Sequence, residues 1–166
     1  MTSSASPAGM MLRYRTDLRA CDAVVRATGN GRGRIRNDRT LATPLLVQLG
    51  SDRRAEASDA LPTEIALLPA QSAGVFARRG WVGDILLDEG VRLGARTWLL
   101  ERGKSDEADR VAAIGYASEA VAPVADYWSQ DVQTTAGWLR PGVLQIVAST
   151  SGVTVRTPSV GTGGAA

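Results

Sequence analysis

The chain contains no histidine and a single cysteine, Cys21. The common nucleophile–base pairs rest on an imidazole or a thiolate, and zinc sites need several histidine or cysteine ligands, so most familiar hydrolase and zinc chemistries are excluded. One cysteine cannot close a disulfide within the chain; stability has to come from packing, as suits a reducing compartment. No stretch approaches the roughly 20 apolar residues of a membrane span. Residues 1–11 lack the basic head and apolar run of a signal peptide, so the expectation is a protein that stays in the cytoplasm where it is made.

What is present is the composition of a globular protein. Of 166 residues, 44% are hydrophobic and 22% charged, enough to bury one core and too balanced for a disordered chain. Charge is unevenly spread. Residues 1–40 hold Arg13, Arg15, Arg19, Arg26, Arg32, Arg34, Arg36 and Arg39 against Asp17, Asp22 and Asp38, a net +5, so the remainder carries −3 of the overall +2. This basic quarter is not interleaved with aromatics and matches no helix-turn-helix, zinc-finger or RRM pattern, so a solvated or partner-facing arm is favoured over nucleic-acid binding.

The small-residue stretches 1–11 and 158–166 read as flexible tails around a folded domain over 12–157. In the arm, the apolar run Ala23-Val24-Val25 and the segment Arg34-Ile35-Arg36 flank glycines, which predicts a hairpin turning at Asn30-Gly31. A dinucleotide loop there is disfavoured, because no helix follows. Thr43 as cap, Pro44 at the first position and Gly50 at the end predict a short apolar helix. An irregular region from Ser51 to about Leu86 is too long for a simple connection. Residues 93–102 fit a short helix or a strand, which periodicity cannot separate in so short an apolar run, with helix the favoured reading. Ser105 as cap, acids in the first turn, and Val111, Ile114, Ala117, Val121, Val124 and Trp128 predict a long amphipathic helix, with Pro123 kinking or ending it. Three strands follow, turning at Arg140-Pro141-Gly142, suited to a type II turn, and at Ser151-Gly152. The fold class is α+β: an N-terminal hairpin, two to three helices and a C-terminal antiparallel meander whose last strand offers an edge to a partner.

Asp52-Arg53-Arg54 and Arg78-Arg79 with Asp84 place opposite charges around the irregular region. Bracing of that region from within is the favoured reading, partner contact the other, and catalysis a distant third. Trp98 and Trp128 fall in apolar patterns and are expected in the core. Trp81, between glycines, fits an interface anchor or a core plug equally well. Asp88-Glu89 beside Gly90 reads as a solvated turn.

Taken in order, Ser51-Asp52-Arg53-Arg54-Ala55, Gly80-Trp81-Val82-Gly83-Asp84 and Gly94-Ala95-Arg96-Thr97-Trp98-Leu99-Leu100-Glu101-Arg102, followed by the long helix, resemble the small baseplate wedge proteins of Mu-like contractile-tailed phages, relatives of the lysozyme-like wedge protein of T-even phages. The likeness covers about residues 27–155. It implies a lysozyme-like wedge fold without glycoside cleavage, and a sheath initiator in the tail baseplate of the virion, assembled in the host cytoplasm. The implied partners are other wedge proteins, the tail sheath, and tube or hub proteins, with six symmetric copies per baseplate and neither membrane nor nucleic acid. The residues implied for partner contact are Asp52, Arg53, Arg54, Arg79, Gly80, Trp81, Gly83, Asp84, Arg96, Glu101 and Arg102. Strand addition adds Val143, Gln145, Val153, Thr154 and Val155. Where T-even-type relatives carry Glu-Pro-Arg after the main helix, this chain has Asp131 and Arg140-Pro141. No catalytic, metal or cofactor residue is assigned. The competing reading is a peptidoglycan-cleaving enzyme using two carboxylates from Asp84, Asp88, Glu89 and Glu101.

Overall fold

A computed structural model describes residues 9–15, 17–18, 20–62, 78–87, 91–157 and 160–162. Asp88, Glu89, most of the two terminal stretches and the middle of the irregular region lie outside them, as does the side chain of Arg102. The expected α+β architecture with antiparallel sheets is present.

The N-terminal arm is more elaborate than one hairpin. Strand β1 (Gly9–Met10) starts it, β2 (Leu12–Arg15) and β3 (Ala20–Ala23) form one hairpin, β4 (Val25–Gly29) and β5 (Arg32–Ile35) form a second, and β6 (Asn37–Asp38) pairs back onto β1. The second hairpin turns at Asn30-Gly31 as expected, with both residues at positive φ. Three ribbons therefore meet at one point. There Met11 donates to the Arg36 carbonyl, Arg36 to that of Val24, and Val24 to that of Met11, at 2.8–2.9 Å. This closed ring of main-chain bonds satisfies all three amides without needing a core.

Helix α1 (Ala42–Gly50) follows. Its first residue is not capped by the Thr43 side chain. Instead Asp38, at the base of the arm, accepts from the amides of Thr40 and Thr43 and from both threonine hydroxyls, at 2.7–3.1 Å. The Thr43 hydroxyl in turn accepts from the Leu12 amide at 3.2 Å, so one carboxylate and one hydroxyl pin the arm to the helix. Four donors outweigh the burial of Asp38 and hold its carboxyl below the ordinary carboxylate range.

The segment expected as a short helix is a 3-10 helix, Arg96–Arg102. Helix α2 (Glu107–Trp128) carries Pro123 inside it and ends at Ser129, which sits in the left-handed region. Its cap is Asp106, accepting from Asp109 N at 2.9 Å; Ser105 instead accepts from Gly142 N and bonds the Thr162 hydroxyl. The buried face of α2 is Ala113, Ala117, Ala120 and Val121, while Val111, expected in the apolar stripe, is exposed.

Strands β7 (Gln133–Arg140), β8 (Val143–Thr150), β9 (Val153–Arg156) and β10 (Val160–Gly161) form one antiparallel sheet. The β7–β8 turn places Gly142 at φ +76°, as the third position of a type II turn requires. Strand β8 is central: β7 flanks one side, β9 and β10 the other. Alternation puts Leu144, Ile146, Ala148, Ala136 and Val155 on the inner face, where they pack with Leu41, Leu45, Leu46 and Leu49 of the α1 segment and with α2. Two strands, β1 and β10, lie inside the stretches read as tails. The chain bounds expected from composition cut through paired segments, because small-residue sequence does not reveal pairing.

Candidate interaction site

The motif blocks, far apart in sequence, converge after α1. Ala95 N donates to the Ser51 carbonyl at 2.9 Å and Arg53 N to that of Ala95 at 3.0 Å, forming a parallel bridge between the first and third blocks. The second block joins them through Ala55 N to the Arg78 carbonyl at 3.0 Å. Two glycines make the approach possible. At Gly94, φ +95°, a Cβ would stand 2.4 Å from the Ser51 oxygen; at Gly80, φ +86°, it would stand 2.4 Å from Arg54 N. Gly94 N is held by the buried Gln48 side chain at 2.7 Å.

Arginines tie this junction together. Arg79 forks onto both carboxylate oxygens of Glu101 at 2.7 and 2.6 Å, reaches Asp52 at 3.3 Å, and lies over the Trp98 ring at 4.7 Å. Trp98 itself is buried and donates from Nε1 to the Arg53 carbonyl at 2.9 Å. Arg96 bridges Asp59 at 2.8–2.9 Å and Glu119 of α2 at 2.7 Å, with Tyr116 beneath it. Glu119 turns its second oxygen to the buried Arg53, 3.2 Å away. Burial disfavours the charge on Arg96, but its two carboxylate partners outweigh that and raise its pKa. Burial likewise pushes the Tyr116 hydroxyl up.

Of the residues expected at a partner surface, Arg53, Arg96 and Asp84 are spent within the molecule. Asp84 is buried and accepts from Leu93 N at 3.0 Å. Arg79, Asp52 and Glu101 are half-exposed and brace one another, and Arg54 is exposed. What this scaffold presents is Trp81. Its indole lies against Gly83, where a Cβ would come within 2.3 Å of the ring. Trp81 is 47% exposed, and the 3-10 turn after it, Val82–Leu86, leaves Val82 at 86% and Leu86 at 81% exposed. An apolar prominence results. Sequence reasoning missed Val82 and Leu86 in this role, and missed Asp59, Glu119 and Gln48 as partners that hold the junction together. Their spacing from the motifs carries no local signal.

The second accessible feature is the sheet edge. Thr157 N bonds the Ile146 carbonyl at 2.9 Å, so the even residues of β8 turn their main chain towards β9. The register pairs Ala148 with Val155 and Thr150 with Val153, which leaves the N–H and C=O of Thr154 and Arg156 facing outward. Val143 and Gln145 cannot receive an added strand, because β8 is flanked on both sides; they present half-exposed side chains on the outer sheet face. The opposite edge, β7, is partly covered: the main chain of Ala136 points away from β8 and its carbonyl takes a bond from Arg110 of α2 at 3.2 Å.

Among the described residues no group of three potential ligands is arranged for a metal ion. Of the carboxylates in the competing enzyme reading, Glu101 is engaged by Arg79 and one oxygen of the buried Asp84 by the Leu93 amide, while Asp88 and Glu89 lie outside the described residues.

An exposed apolar prominence and a strand edge with outward main-chain groups are the kinds of surface by which proteins meet other proteins. The family model described as phage protein GP46 matches residues 41–155, and the chain belongs to that family. It is also 38% identical, over 99 residues, to "Baseplate protein gp46" of Escherichia phage Mu, a match covering 55% of this chain and 60% of that protein. The chain thus spans about 60% of the length of the curated relative it matches. The resemblance to Mu-like phage baseplate proteins carried by its motifs is borne out. No solved structure matches.

Proposed function

We propose that the chain is a structural component of a contractile tail baseplate in the virion, a wedge subunit that initiates the sheath. The observation that carries this reading is the β9 edge, whose outward main-chain groups at Thr154 and Arg156 sit in a register fixed by β8. An incoming strand from a sheath subunit extends the sheet there, with main-chain bonds giving affinity and alternate side chains giving register. The Trp81, Val82 and Leu86 prominence is the contact for a neighbouring wedge protein, following in sequence on Arg79, which Glu101 and Asp52 brace. A junction braced by ion pairs suits a part that transmits a baseplate rearrangement to the first sheath ring, in six copies, with tube or hub proteins adjacent.

The test is a proline at Thr154, whose N–H bonds nothing within the sheet, so the substitution spares the fold while blocking strand addition. The expected result is a folded T154P protein that enters baseplates on which sheath fails to polymerise. Normal sheath assembly and contraction in particles carrying T154P would sink the reading.

A further inference from the structure

The arm lies outside the region matched by the family, residues 41–155, and its second hairpin touches no core. In the β4–β5 ribbon the register sets Arg26 directly opposite Arg34 on one face and Val25 opposite Ile35 on the other. Like charges facing each other across a strand pair are unfavourable, and Val25 and Ile35 are left 60% and 55% exposed. The arm's acids do not relieve the charge, since Asp17 and Asp22 are engaged by Arg15. Among the described residues no carboxylate approaches Arg26, Arg32 or Arg34.

The C-terminal end of α2 has the opposite character. Its last turn contains no basic residue, its carbonyl end is the negative pole of the helix, and Asp126 and Asp131 beside it are exposed without a cationic partner among the described residues. Tyr127 stands there 79% exposed, packed edge-on against Trp128. A guanidinium pair fits two carboxylates beside an open aromatic face. Within one molecule the two patches form no ion pair.

We propose that the Arg26/Arg34 face of the β4–β5 ribbon docks on the C-terminal end of α2 of a second copy of this chain, the two guanidinium groups meeting Asp126 and Asp131 and lying against Tyr127. The contact is head to tail, so repetition builds a ring or an arc of copies. It does not depend on the baseplate reading, because the purified chain alone tests it, and T154P leaves it untouched.

Sedimentation velocity of the full chain at about 50 mM and about 500 mM salt reads the contact, since ion pairing at a surface weakens steeply over that range. The expected result is self-association at low salt that is weakened at least about tenfold at high salt. R26E/R34E and D126R/D131R should each be monomeric, and an equimolar mixture of the two should associate again. R26Q/R34Q serves as a second disrupted variant, and circular dichroism confirms that each variant is folded. Wild-type protein that stays monomeric at low salt overturns the proposal, as does association that survives both charge reversals or variants whose mixture fails to associate. Binding of a short DNA duplex, lost in R26E/R34E, by a chain that does not self-associate also overturns it and assigns the ribbon to nucleic acid.

Discussion

Asp38 is a single residue on which two parts of the molecule depend. Its carboxylate stands where an N-cap would, one strand upstream of α1, and takes four hydrogen bonds while almost wholly buried. Because its pKa is lower folded than unfolded, the stability it confers is fully present above the unfolded carboxylate range and is lost as pH falls through the folded value. Asp38→Ala should therefore cost about 1–2 kcal/mol at neutral pH, the cost of losing a good cap, and thermal melts of the variant and the wild type should converge in strong acid. A gap that persists undiminished in acid would mean that packing rather than charge is what Asp38 supplies. Gly94 is the other sensitive position. At φ +95°, with the Ser51 carbonyl 2.4 Å from any Cβ, Gly94→Ala should destabilise by about 2 kcal/mol or more, read from denaturant midpoints. Gly115, in α2, has open space around its Cβ position, so Gly115→Ala should be neutral to stabilising and serves as the control.

At the scale of elements, helix α2 meets the rest of the core through alanines. Ala113 and Ala117 are fully buried and Ala120 nearly so, which lets the helix lie close to α1 and the sheet. Ala117→Leu should overpack this contact and cost about 1–3 kcal/mol in chemical denaturation; a variant as stable as the wild type would show slack in the packing. The same helix shows how far the sequence could be read. Its existence, acidic first turn and approximate end were legible from periodicity and charge, but its buried face was not. Ranking residues by hydrophobicity promotes Val111 over Ala113, whereas close packing selects for small size, and Val111 stands two residues, about 200°, from Ala113 around the helix. Turns set by local chemistry were likewise legible, as at Asn30-Gly31 and Pro141-Gly142. The three-way junction at Met11, Val24 and Arg36 was not, since it is made by main-chain bonds that any side chains would permit. In the candidate site the arginines announced internal bracing, yet Asp59 and Glu119 could not be matched to Arg96 without the fold.

The molecule as a whole combines a body with a hydrophobic core and an arm held by hydrogen bonds. The body's core runs through α1, α2 and the sheet; of the arm, Leu12 packs against it and Asp38 is buried at the base, while β4 and β5 are exposed along their whole length. An exposed two-stranded ribbon is marginal on its own, and its amides exchange by local opening rather than by global unfolding. Hydrogen exchange should therefore show amides of β4 and β5 poorly protected and those of β8 protected to the global limit. Removing residues 1–36, which keeps Asp38 with its threonines, should leave a cooperatively folding body. Its denaturant midpoint should fall modestly, and the slope of the unfolding transition should scarcely change, because that slope follows the surface exposed on unfolding and the arm buries little. If the truncated chain instead unfolds, the ring of bonds at the junction is part of the folding unit rather than an appendage to it. A body that folds alone separates the two proposed surfaces: strand addition at β9 would survive the truncation, and association between copies through the ribbon would not.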